Sequence, residues 1–329
     1  MQENSWPRIA VLGSGAVGCY FGGMLARVGA PVTLIGRPQH VKAIARDGLF
    51  LDTLHFQEKI PVSASTEVSA VRDADLVLFS VKSLDTEGAA QSLAQHLAPG
   101  AVVISLQNGV DNAERIRSSA KIEAIAAVVY VAAEMVAPGH VKHSGRGDLI
   151  IGNLPGPGHD QAGRRAQLED VAALFGRASV PCRISENVEG ELWRKMIMNC
   201  AFNAISALGR ARYGRVLGNP WTRDVVLQVI EEAVAVGRAA GIQLPDANMA
   251  EAGMKLGEAM NNAISSTAQD IARGKRTEID SLNGYLARRG AELGVAVPVN
   301  QTLHALVKLL EESVQSSPAP EPQKKATKP

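Results

Sequence analysis

The chain has 329 residues, enough for two packed domains, and its 46% hydrophobic and 20% charged residues match ordinary globular usage. With 34 Lys and Arg against 33 Asp and Glu, the net charge is +1, which gives no electrostatic basis for holding nucleic acid or an anionic membrane. Three cysteines, Cys19, Cys182 and Cys200, are too scattered for a disulfide framework and lack C-x-x-C or metal-ligand spacing. Buried thiols in a reducing cytoplasm, and no metal, are the expectation.

In chain order, residues 8 to 12 (RIAVL) read as a short buried parallel strand ended by glycine. A helix follows to about Arg27. The uncharged stretch 9 to 26 is long enough to mimic a membrane span, but its five glycines split it into strand, turn and helix. No basic segment precedes it, which argues against a signal peptide. Residues 31 to 35 form a second strand, 38 to 47 a helix, and 49 to 63 have β character. Strands at 75 to 81 and 101 to 106 flank a helix at 86 to 97. This alternation predicts an α/β Rossmann-type N-terminal domain, over 6–185, with a doubly wound parallel sheet. Residues 122 to 152, broken at Pro138-Gly139, read as two or three strands joined by turns. A helix near 162 to 177 and a last strand, VPCRIS (180 to 185), complete it. From 186 the β signals vanish, and helices at 187 to 208, 219 to 241, 246 to 273, 277 to 294 and 299 to 315 predict an all-α C-terminal domain over 186–315. The segment 219 to 273 is rich in Ala, Val and Ile and suits either a homodimer surface or a core. The Pro- and Lys-rich tail, 316–329, is expected to be disordered.

Gly13-Ser14-Gly15-Ala16-Val17-Gly18 matches G-x-G-x-x-G in its required strand–turn–helix context. The first glycine permits the tight turn, the second lets backbone approach a pyrophosphate, and the third lets helix pack on strand. The helix N-terminus then offers amides and partial positive charge. NAD-binding domains place a carboxylate at the end of the second strand for the ribose 2′-OH. Here the strand ends Ile35-Gly36-Arg37, and an arginine suits a 2′-phosphate instead, so NADPH is the expected cofactor. Lys82, just past a strand, is either a second cation near the adenosine end or an ordinary surface lysine. Gln107-Asn108-Gly109 is either a plain turn or a place where an amide reaches the nicotinamide or substrate at the carboxyl edge of the sheet.

The segment 191 to 209, ELWRKMIMNCAFNAISALG, spaces Lys195, Asn199 and Asn203 at i, i+4 and i+8 on an apolar helix. Asparagine is a poor helix former, so two in one stripe point either to binding of carboxylate and hydroxyl groups or to ties with neighbouring helices. A lysine there suits proton donation to a developing alkoxide. Further along, Ser265, Ser266, Asp270 and Glu278 form a second candidate patch, with Glu278 off the apolar face and equally readable as a surface carboxylate.

These three features, GSGAVG with Arg37, the Lys195 helix, and SSTAQDIARGKRTEIDSLNGYLARRG followed by GVAVPVNQTL, resemble the ketopantoate reductase (2-dehydropantoate 2-reductase) family over residues 8 to 310. The resemblance implies reduction of a small-molecule 2-keto acid, 2-dehydropantoate, to (R)-pantoate by NADPH in the cytoplasm. It implies that Lys195 donates the proton, that Asn199, Asn203 and Ser266 bind substrate, and that Glu278 bonds near the substrate hydroxyl and cofactor ribose. Asn108 would lie between cofactor and substrate, and Lys82 near the adenosine phosphate. The sequence departs from the family at Ala211-Arg212-Tyr213-Gly214-Arg215, where Tyr213 stands in place of a further substrate-binding asparagine. Tyr213, with Arg210, Arg212 and Arg215, favours an alternative, a reductase of another 2-keto or 3-hydroxy acid. A non-catalytic NADPH-binding sensor is the reading from another class, and it leaves Lys195 and Glu278 unexplained.

Overall fold

The computed structural model describes residues 6–155 and 161–316. Of the expected disordered tail, residues 317–329 lie outside the described residues. The elements in chain order are β1 (Ile9–Leu12), α1 (Ala16–Arg27), β2 (Val32–Ile35), α2 (Pro38–Asp47), β3 (Leu49–Asp52), β4 (Gln57–Ile60), β5 (Ser63–Ser65), β6 (Leu76–Phe79), α3 (Thr86–Ala94), β7 (Val102–Ser105), α4 (Asn112–Ala120), β8 (Ala124–Ala137), β9 (His140–Gly152), α5 (Gln161–Arg177), β10 (Cys182–Ile184), α6 (Val188–Leu208), α7 (Tyr213–Gly218), α8 (Pro220–Ala239), α9 (Met249–Ala259), α10 (Ser266–Ala272), α11 (Asn283–Leu293) and α12 (Pro298–Ser316). Two compact units result, Met1–Met196 with Ile242–Pro245, and Ile197–Gly241 with Asp246–Pro329. The division falls inside α6.

The first unit is built on one sheet. Strands β5-β2-β1-β6-β7-β8 lie side by side, every neighbour parallel. This is the Rossmann order, with the direction of winding reversing between β1 and β6. The four residues of β1 and of β6 are all buried, as the unbroken apolar runs require in a sheet covered on both faces. Beyond this doubly wound parallel part the sheet is mixed. Strands β8 and β9 are joined across Pro138-Gly139 and pair antiparallel over nearly their full length. A connection that short cannot cross over to a parallel strand. Strand β3 pairs with β9 in parallel and with β4 antiparallel, and β10 extends β9.

Among its described residues the second unit contains helices and no strand. Its core includes Phe202, Val229, Ile230, Ala233, Val236, Leu286 and Val307, all buried. Val226, Val229, Ile230, Ala233 and Val236 of α8 are therefore core within a single chain, whereas Trp221 at its start is exposed. Buried polar groups tie the helices together. Asn283 donates to Cys200 O (3.3 Å) and Asn300 Oδ1 (2.9 Å), and the Glu232 carboxylate accepts the Val299 and Asn300 amides at the start of α12, both at 2.9 Å. An acidic group at that position caps orphan donors and opposes the helix dipole.

Two helices are placed differently from the periodicity. The predicted helix 246 to 273 is two, α9 and α10, because Ser265 caps α10 through the Ala268 amide (3.1 Å). The predicted helix 277 to 294 opens as a 3-10 turn, Ile279–Ser281, before α11. Helices α4 and α7 were not foreseen, being short and weakly patterned. Among the described residues no helix is long and apolar enough to cross a membrane.

Candidate active site

The glycine turn joins β1 to α1 at the point where the strand order reverses. Gly13 has φ +109°, and a Cβ there would lie 2.7 Å from the Ser80 backbone just past β6. A Cβ on Gly18 would lie 2.3 Å from Gly13 O and Ser80 Oγ. Both positions are closed to any side chain. Gly15 has nothing within 4 Å of where its Cβ would be. It is the N-cap of α1, with no side-chain cap and no acidic residue in the first turn. The positive end of α1 is thus neither capped nor neutralised by a described side chain, which is what an incoming phosphate needs. Ser14 is buried, yet its Oγ has no hydrogen-bond partner among the described residues. A Cβ on Gly36 would fall 1.6 Å from that oxygen, so the end of β2 is cut back to admit the turn. An orphaned polar atom beside an open, uncapped helix end fits a dinucleotide.

Arg37 follows at once. It is the exposed, extended N-cap residue of α2; its carbonyl accepts from the His40 and Val41 amides, while its guanidinium makes no hydrogen bond or ion pair with any described residue. Lys82, exposed, begins the 3-10 turn Ser83–Asp85 past β6.

The residues after β7 divide by role. Gln107 is buried and structural, bridging Ser105 Oγ, Val81 O and Thr86 Oγ1. Asn108 has its carbonyl held by Ser83 Oγ (2.8 Å) and Asn112 Nδ2 (2.7 Å), which frees its side chain from defining the turn. Gly109, with φ +109°, lets the chain leave. The Lys195 ammonium donates to Asn108 Oδ1 at 2.8 Å and to the Val129 carbonyl. Its nitrogen also lies 5.7 Å from the centre of the Tyr130 ring. Lys195 belongs to the part of α6 that packs in the first unit, so lysine, amide and glycine turn share one body. Burial raises the Tyr130 hydroxyl's pKa. Burial also pushes the Cys19 and Cys182 thiols up to about 12 and the Cys200 thiol higher, so no cysteine is a ready thiolate nucleophile.

In the second unit Asn199 is half-buried and its side chain bonds to no described residue. Asn203 is buried. Its Oδ1 accepts from the Tyr213 hydroxyl (3.2 Å), and its carbonyl accepts from Ser265 Oγ (3.1 Å). Ser265 is the buried serine of the pair, whereas Ser266 is exposed at the first position of α10. Glu278 is half-buried, and its segment is clamped by α12. The Thr277 amide donates to the buried Glu311 carboxylate (2.6 Å), and Asp280 pairs with His304 (2.7 Å) and Lys308 (3.0 Å). An open pocket of about 520 Å³ in this unit, bordered by Ile205, Ala211, Arg215 and Thr222, contains none of the expected site residues.

Two family models of the ketopantoate reductase PanE/ApbA family match, the N-terminal one over residues 9–156 and the C-terminal one over 187–311. A 2-dehydropantoate 2-reductase of Pyrococcus horikoshii is 34% identical over 92% of this chain and 97% of its own. The chain belongs to the ketopantoate reductase family. It is an oxidoreductase of that NAD(P)-dependent family. A PanE/ApbA family ketopantoate reductase from Ralstonia eutropha JMP134 is 52% identical and superposes with a TM-score of 0.86 over 94% of this chain and 99% of its own. A D-mandelate dehydrogenase in complex with NADH is 25% identical, with a TM-score of 0.81 over 93% and 99% of the two chains.

In this ketopantoate reductase family member, sequence reasoning missed two participants and one contact. Val129 offers only its main-chain carbonyl, which leaves no trace in residue type. Ser80 contacts the turn through the fold. The bond between Tyr213 and Asn203 joins residues ten apart whose registers only α6 and α7 define.

Proposed function

We propose that this chain reduces 2-dehydropantoate to (R)-pantoate with NADPH in the cytoplasm, on the route to pantothenate and coenzyme A, with residues 186–315 as the substrate and catalytic domain. The observation that carries this reading is the seating of Lys195. Two neutral acceptors, Asn108 Oδ1 and Val129 O, fix its ammonium in the unit that bears the glycine turn. A nicotinamide supplies hydride to the keto carbon when bound. Lys195 Nζ gives a proton to the oxygen that becomes the hydroxyl, and takes one back from solvent. Gly13, Ser14, Gly15, Ala16, Val17 and Gly18 receive the pyrophosphate, and Arg37 and Lys82 the adenosine phosphate. Asn108, Asn199, Asn203 and Ser266 bind the keto acid, and Glu278 the hydroxyl and ribose. The protein's contribution is position and charge.

Arg37 supports NADPH over NADH, because an exposed guanidinium without a partner stands where an NAD-specific site has a carboxylate. The test is a panel of 2-keto acids followed at nicotinamide absorbance with both cofactors, in wild type and Arg37→Asp. Ketopantoate should turn over far above the others. The substitution should raise the NADPH KM by roughly 10–100-fold, the worth of one lost charge-assisted contact, and leave the NADH KM unchanged or lower. An unchanged NADPH preference would overturn the cofactor assignment.

A second reading, reduction of a different 2-keto acid, is favoured by Tyr213 and by the likeness to D-mandelate dehydrogenase. The same panel decides it, since another acid would then surpass ketopantoate.

A further inference from the structure

Gly36 is the first residue past β2, the place from which NAD-binding domains reach the ribose 2′-OH with a carboxylate. It lacks the positive φ that would require a glycine, so its backbone accepts any residue. Space does not. A Cβ there would lie 1.6 Å from Ser14 Oγ, 2.8 Å from Ser14 Cβ and 3.3 Å from Ser14 N, its three nearest neighbours. The obstruction is therefore a single residue. Turning Ser14 about χ1 removes the hydroxyl from the contact but leaves its β-carbon inside the roughly 3.5–4.0 Å at which two carbons rest. The backbone cannot draw apart either. The Ile35 carbonyl accepts from the Gly13 and Ser14 amides (3.0 and 2.9 Å), and the Gly36 amide donates to Ser65 O (3.0 Å) at the end of β5. These bonds continue the β1–β2 and β2–β5 pairings. Ser14 is 5% exposed, and its Oγ bonds to no described residue. What it brings to this contact is volume.

We propose that Ser14 and Gly36 together determine the cofactor class. Ser14 fills the place that a carboxylate-bearing side chain at position 36 would need, so the ribose end stays open to a 2′-phosphate. The pair acts by shape where the Arg37 guanidinium acts by charge. This rests on the reading of the glycine turn and Arg37 as an NADPH site. Residue 14 then dictates what residue 36 can be, and a change of cofactor at position 36 must alter both.

The experiment is a double-mutant cycle on Gly36→Asp and Ser14→Gly, with Gly36→Ala as a milder probe, read by Tm, should aspartate not fold. NADPH and NADH Kd are measured by calorimetry, beside Tm. Gly36→Asp alone should lower Tm and weaken both cofactors. Adding Ser14→Gly, which clears Oγ and Cβ, should restore Tm. That double variant should bind NADH about tenfold tighter than wild type and NADPH about tenfold weaker, the worth of one ribose bond gained and one phosphate repelled. Ser14→Ala clears only Oγ and should restore less. Effects of the two changes that simply add would overturn the proposal, since residues in contact must couple. So would Gly36→Asp or Gly36→Ala at wild-type Tm with Ser14 in place. A double variant that regains Tm without gaining NADH affinity reduces the contact to packing and sinks the proposal alone. A wild type that itself prefers NADH overturns the reading of Arg37, and the proposal with it.

Discussion

The two units make their candidate sites from different materials. In the first, the groups that matter are largely main chain: the uncapped amides of α1, the glycines at 13 and 18, and the carbonyl of Val129, with the Asn108 side-chain amide and Lys195 beside them. In the second they are side chains, held by hydrogen bonds to side chain and main chain alike, as in Tyr213–Asn203–Ser265 and Thr277–Glu311. A site made of backbone tolerates few residue types and leaves a fixed motif. A site made of side chains can exchange a residue and change what it recognises. The first unit would therefore carry what is common to the family, and the second what distinguishes this member.

The largest expected effect tests whether proton transfer belongs with the first unit. Lys195→Ala should lower kcat by about 10²–10⁴-fold, the usual worth of a positioned acid, while calorimetry finds NADPH Kd unchanged. Loss of cofactor binding in that variant would mean that lysine and glycine turn are not separable. Next come the glycines. Gly18→Ala drives a methyl into Gly13 O and Ser80 Oγ, so both Tm and NADPH affinity should fall. Gly15→Ala meets open space, so Tm should hold while affinity drops, because the methyl occupies phosphate room. Equal loss of Tm in both would contradict the division into a packing glycine and a ligand glycine.

The smallest effect sharpens the other side. The hydrogen bond from His304, aided by Lys308, holds the Asp280 carboxyl well below its usual 3.8. A folded pKa below the unfolded one means the ionised pair stabilises above about pH 4, and that this contribution is lost as pH falls toward the folded value. Asp280→Asn should cost roughly 1–3 kcal/mol near neutrality, read from denaturant unfolding, and the gap from wild type should narrow below about pH 4. A constant gap across that range would remove the charge pairing as the cause.

Much of the first unit was legible because its rules are local. Strand, glycine turn and helix followed from 20 residues of pattern, and α2 (Pro38–Asp47) fell at the predicted bounds. The antiparallel β8–β9 pair was only half legible. The turn at Pro138-Gly139 could be read, but not its consequence for the sheet. In the second unit the helices were legible as periodicity, yet the break before α10 and the 3-10 turn beside Glu278 were not, since a capping serine and a buried Glu311 decide them. The spacing of Lys195, Asn199 and Asn203 could be read, but not the identity of their partners.

The sequence by itself determined the class of fold, the dinucleotide turn, the basic residue after β2 and the polar stripe of α6, because each is a relation among residues close in the chain. Tertiary structure decided that Lys195 rests on Asn108 and Val129, residues 87 and 66 positions away, and that Tyr213 takes the oxygen of Asn203. Those contacts exist only once strands and helices have packed, since a hydrogen bond depends on distance in space and not on order in the chain.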